Sequence, residues 1–184
     1  MAPTVRLPAD WAFATSLRRA GTAGESITFE TTTIETLVDS PVLTGRHQRE
    51  LDITPAGQAR RHSLAVFFDE ESSVGRQVPP EHIERMTNLV EQTTRLFGST
   101  PYADYRFLIL EQRGSPVGGL EHRSSSDNRM PRGALSSTEV FPQLGVLLAH
   151  EFVHVWNGSL MRPPGVRPRD RKSTRLNSSH PYRS

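Results

Sequence analysis

Cysteine is absent from the 184 residues, which excludes disulfides and any thiolate metal site. A metal held by this chain must therefore sit on imidazole and carboxylate ligands, and a cysteine-free chain is compatible with any redox compartment. Lysine is almost absent as well: Lys172 is the single one. No run approaches the roughly 18 consecutive apolar residues that a membrane span needs. The opening Met1-Ala2-Pro3-Thr4-Val5-Arg6 lacks a charged segment leading into an apolar one, so no signal peptide is visible. What remains, with 35% hydrophobic residues and a mean hydropathy of -0.50, is the composition of a soluble chain large enough for one ordinary domain core.

The net charge of +2 and the pI near 9.5 point at first to nucleic acid. The excess is local. Arg171, Lys172, Arg175 and Arg183 all lie in the last fourteen residues, which hold no acid. Without those four, 18 basic residues face 20 acidic ones. Phosphate binding needs clustered positive charge, so nucleic acid is not an expected partner. The segment from Asp170 to His180 also reads as one frame of a short-read sequencing adapter. Residues 171–184 are therefore expected to be foreign to the gene product and disordered, in place of a natural Ser/Arg-rich tail.

Along the chain, residues 26–37 are rich in Thr and Ile with partial alternation, which suits strands. Asp39-Ser40-Pro41 signals a turn, and Val42-Leu43, Glu50-Leu51-Asp52-Ile53 and the run 62–68 read as further strands. After Pro79-Pro80 the apolar period changes. Ile83, Met86, Leu89, Val90, Leu96 and Phe97 fall near 3.6, predicting a helix over 81–97 stopped by Gly98. Residues 105–110 predict a strand, 117–122 a second extended piece, and 124–133 a polar loop. A last helix is predicted from Phe141 or Pro142 to Asn157, with Gly158 at its end. The fold class is α+β.

The last helix carries His150-Glu151-Phe152-Val153-His154. Two histidines four apart lie one turn above each other, so both rings can converge on one zinc ion. Glu151, beside the first ligand, can reach a water activated by the metal and act as general base. The bland alternative is an apolar helix with two satisfied histidines, but an acid and two imidazoles on such a helix call for a compensating partner. A second constellation is Gly118-Gly119-Leu120-Glu121-His122. Alone it reads most simply as a Gly-Gly turn before a strand. Beside a catalytic cleft, its glycines permit close backbone approach to a substrate and its Glu can pair with an α-ammonium group, which makes an exopeptidase.

These two motifs in this order, about thirty residues apart, resemble the glycyl aminopeptidase family of zinc metallopeptidases. The likeness extends through Leu37-Val38-Asp39-Ser40-Pro41-Val42, Leu96-Phe97-Gly98, Pro101-Tyr102 and Tyr105-Arg106-Phe107 to Trp156-Asn157 and Arg162-Pro163. The resemblance implies the end of an N-terminal β domain (1–65) followed by the first half of a thermolysin-like, gluzincin catalytic domain (66–170), with a PDZ domain expected downstream. It implies Zn2+ as cofactor, His150 and His154 as its ligands, Glu151 as general base, and Gly118, Gly119 and Glu121 as substrate-binding residues. The substrate is then a peptide with a free N-terminus, with a small first residue such as glycine.

The family completes its zinc site with a later Glu, and this chain has none after Glu151. Asp170 and His180 fall at or within the adapter-like tail. The expectation is an internal fragment of a longer enzyme, inactive and poorly stable by itself. The competing expectation is a non-catalytic, peptide-binding relative that lacks the third ligand.

Overall fold

The computed structural model describes residues 1–70, 77–158 and 161. The adapter-like tail, and the Arg162-Pro163 part of the likeness, lie outside the described residues. The class is α+β, as the periodicities predict. The amino-terminal part forms β1 (Thr4–Arg6), β2 (Ala12–Thr15), β3 (Arg19–Ala23), β4 (Ser26–Phe29), α1 (Ile34–Val38) and β5 (Val42–Gly45). The order β1-β4-β3 makes one antiparallel sheet, and β2 pairs with β5 in a second.

A five-stranded sheet follows, in the order β6-β7-β8-β10-β9. Its strands are β6 (His47–Asp52), β7 (His62–Phe68), β8 (Tyr105–Gln112), β9 (Gly118–Glu121) and β10 (Ser125–Pro131). The centre β7-β8-β10 is parallel and both edges are antiparallel. The parallel step from β7 to β8 needs a crossover, which α2 (Pro80–Phe97) supplies. Residue 65, the expected end of the first unit, lies inside β7, and β6 already belongs to this sheet.

Every residue of β7 is buried because both faces of the sheet are covered. Leu64, Val66 and Phe68 pack toward α2 and the last helix, α3 (Phe141–Val153), together with Met86, Val90, Leu144 and Leu148. Ala65 and Phe67 face the other way, against Ala14 and Leu43 of the β2-β5 pair. The amino-terminal part thus forms the third layer of one packed body. Among the described residues no helix is long and apolar enough to cross a membrane.

Two expectations are corrected. Residues 26–37 are not all extended. The strand ends at Phe29, and Thr33 caps α1 by accepting a hydrogen bond from the Thr36 N–H at 3.1 Å. A local cap overrides the β propensity of Thr and Ile. Residues 124–133 are not a loop either. β10 is an inner strand with several buried polar side chains, and the Asn128 amide N–H group is bonded within the sheet: Nδ2 donates to Leu108 O at 3.0 Å and to Ser126 Oγ at 2.9 Å. The bonds of Asn128 Nδ2 offset part of the cost of burying these groups, and the polar composition hides the strand from hydropathy. The predicted helices fare better. α2 ends at Gly98 with φ 63°, the left-handed cap that glycine favours. α3 ends at Val153, and tighter turns carry the chain on to Asn157.

Candidate metal centre

The start of α3 is anchored from two sides. Glu111, buried at the end of β8, accepts hydrogen bonds from the Gly133 and Leu135 N–H groups, both at 2.7 Å. His82 of α2 stacks on Phe141 with ring centroids 3.7 Å apart, and its Nδ1 bonds Leu135 O at 2.9 Å. The far end is fixed by Trp156. Its indole N–H donates to Ser99 O at 3.1 Å, and its ring stacks on Phe97 at 4.6 Å. Phe152 then locks the middle, fully buried among Tyr102, Tyr105, Phe107 and Trp156. The helix is held rigidly by its inner face, so its outer face presents side chains at fixed spacing.

On that face His150 and His154 turn their Nε2 atoms to within 3.2 Å of each other. Two ligands at the usual zinc–imidazole distance and a tetrahedral angle stand about 3.3 Å apart, so the rings already have the spacing of a shared ion. His154 Nδ1 lies 3.1 Å from Asn157 O. Donation to that carbonyl places the proton on Nδ1 and leaves the Nε2 lone pair free for a metal, the usual outer-shell arrangement. His150, Glu151 and His154 offer ligand atoms within 4.8 Å of one another. The residues present fit a zinc ion.

Glu151 is buried whereas His150 is exposed and His154 half-exposed. Burial pushes its carboxyl above the usual carboxylate range and the negative Glu121 adds to this, while His150 and His154 pull the other way. The reason for its burial lies in β9. An added Cβ on Gly119 would stand 2.6 Å from both Cγ and Cδ of Glu151, and nearer still to Oε1. Gly119 therefore leaves room for Glu151, a contact that sequence spacing does not reveal. A Cβ added at Gly118 would meet nothing within 4 Å, so the space beside it is open.

β9 runs alongside α3 in order. Val117 shares an apolar cleft with His150, Gly119 touches Glu151, and Leu120 to Arg123 share a second cleft of about 610 Å3 with His154 and Asn157. Glu121 thus lines a cleft bounded by one of the two histidines. The structure brings all six sequence-predicted site residues to this one seam.

Gly119→Ala is expected to destabilise the chain by about 1–3 kcal/mol, the usual range for overpacking. Gly118→Ala, facing open space, should leave the unfolding midpoint within about 0.5 kcal/mol of wild type. Denaturant titration checks both. Equal effects at the two positions would contradict the packing of Glu151 against β9.

Residues 1–46 match the family described as the peptidase M61 N-terminal domain, and the match ends one residue before β6. No curated protein matches the chain. Among solved structures, an aminopeptidase N family protein from Idiomarina loihiensis is similar, with a TM-score of 0.72 and 24% identity over 92% of this chain. A two-domain M1 zinc metallopeptidase bound to L-tryptophan is similar at a TM-score of 0.50 and 17% identity, over 85% of this chain. The chain spans 30% of the first structure's length and 34% of the second's. At these identities the likeness is one of fold.

Proposed function

We propose that this chain supplies part of the active site of a zinc aminopeptidase, with His150 and His154 as two metal ligands and Glu151 as general base. The observation that carries the reading is the pair of Nε2 atoms 3.2 Å apart, with His154 oriented through Asn157 O. The matches to a peptidase domain and to metallopeptidase folds support it. The third protein ligand comes from outside the described residues, in the second half of a gluzincin domain, with a PDZ domain beyond.

Zinc held at this site would polarise a scissile carbonyl and lower the pKa of a bound water to about 7. Glu151, whose carboxyl burial pushes above the usual carboxylate range, takes the proton of the attacking water and delivers it to the leaving amine. Glu121 pairs with the substrate's α-ammonium group, and the open space beside Gly118 lies along the bound peptide. That pairing selects free N-termini. A small first residue such as glycine is the preferred substrate.

The test compares glycine p-nitroanilide with its N-acetyl derivative, using the zinc-loaded polypeptide that completes the site. The free-amine substrate should be cleaved at least about a hundredfold faster, the scale of a lost charge-assisted contact. Stoichiometric zinc with binding of both compounds and cleavage of neither would favour a non-catalytic, peptide-binding protein. Equal cleavage of the two would remove Glu121 from substrate recognition.

A further inference from the structure

The turn that follows Glu121 is held by the amino-terminal part of the chain. β9 ends at Glu121, and residues 122–124 carry the chain into β10, with the His122 N–H donating to Ser125 O at 2.9 Å. The Arg123 N–H points out of this hairpin, and Asp39 Oδ2 accepts from it at 3.0 Å. The other carboxylate oxygen, Asp39 Oδ1, lies 3.4 Å from His122 Nδ1. Arg123 also reaches Glu35, but both partners are largely exposed, so that ion pair adds little.

Asp39 is itself fixed. It caps α1, its N–H donating to Glu35 O at 3.1 Å. Its neighbour Ser40 donates through Oγ to Thr36 O at 2.7 Å and accepts from Ser16 Oγ at 3.1 Å. The same helix forms a wall of the 610 Å3 cleft, where Ile34, Val38 and Asp39 face Glu121 and His154.

We propose that Asp39 is a positioning residue for Glu121: by clamping the His122–Arg123 turn it fixes where the Glu121 carboxylate stands in the cleft. The amino-terminal layer thereby sets the recognition of a substrate's free amine. This rests on Glu121 as the amine-binding group. Position matters here because a carboxylate displaced by about 1 Å loses most of a directional contact. The two acceptor bonds from Asp39 reach the turn from the end of α1, so loosening them frees Glu121 without touching the zinc helix.

The probes are alanine hydroxamate and N-acetylalanine hydroxamate, titrated calorimetrically into the zinc-loaded polypeptide that completes the site, so that turnover is not needed. Wild type should prefer the free amine, and Glu121→Ala should abolish the preference. Asp39→Ala should reduce it about tenfold. Asp39→Asn retains an acceptor for the Arg123 N–H and should keep it within about threefold. Affinity for the acetylated probe should stay constant across the set, which separates positioning from loss of fold or metal. A wild type without preference would overturn the role of Glu121 and this proposal with it. A preference that survives Asp39→Ala, or that falls equally in Asp39→Asn and Asp39→Ala, would overturn the clamp alone.

Discussion

Glu151→Gln is expected to lower peptidase turnover by about a thousandfold, within the range for loss of a general base. Zinc content should stay at wild-type level, since the amide leaves His150 and His154 untouched. The substitution is nearly isosteric, so the contact with Gly119 survives and the fold should hold. The charge disappears from a buried position where burial already disfavours the anion. Stability should therefore be unchanged or slightly higher. Turnover measured beside zinc stoichiometry and a melting curve separates the three effects. A loss of zinc equal to the loss of turnover would make Glu151 a ligand and leave the proton transfer without an agent.

Phe152→Ala should be the most damaging core substitution on the metal helix. The ring is fully buried, with centroids 4.7 Å from Tyr105, 5.2 Å from Trp156 and 5.4 Å from Phe107. Removing a buried Phe costs about 3–5 kcal/mol from lost transfer energy and residual cavity. For a chain of this size that lowers the melting temperature by about 10 °C. Phe152→Leu should recover most of the loss, because it refills the greater part of the volume. The residue lies between Glu151 and His154, so zinc should raise the stability of the Ala variant through linkage. An Ala variant as stable as wild type would contradict the aromatic anchoring of α3.

The two long helices, α2 and α3, were readable because their signals are local: an apolar period near 3.6, Pro at the start, Gly98 or Gly158 at the end. The run 62–68 was readable for a different reason: a short apolar run of strand length suits a strand covered on both faces. β10 was not readable. Its buried Ser125, Ser126 and Asn128 look like loop residues until the sheet around them is known. α1 was hidden by β-prone residues that one Thr cap overrides.

The site divides in the same way. His150, Glu151 and His154 are joined by helix periodicity, which is a property of sequence. The fit of Glu151 against Gly119 and the hold of Asp39 on Arg123 depend on how separate strands meet, and no spacing encodes that. Glu111 was missed because an acid in an apolar strand carries no mark of its two backbone partners.

The most direct test of the metal centre is zinc-edge X-ray absorption on the zinc-loaded chain, with parallel affinity measurements on His150→Ala and His154→Ala. The arrangement predicts one zinc per chain, scattering from two imidazoles at about 2.0–2.1 Å, and a fall in affinity for each variant beyond the 10–100-fold typical of outer-shell changes. Zinc bound without imidazole scattering, or with affinity indifferent to both substitutions, would contradict it.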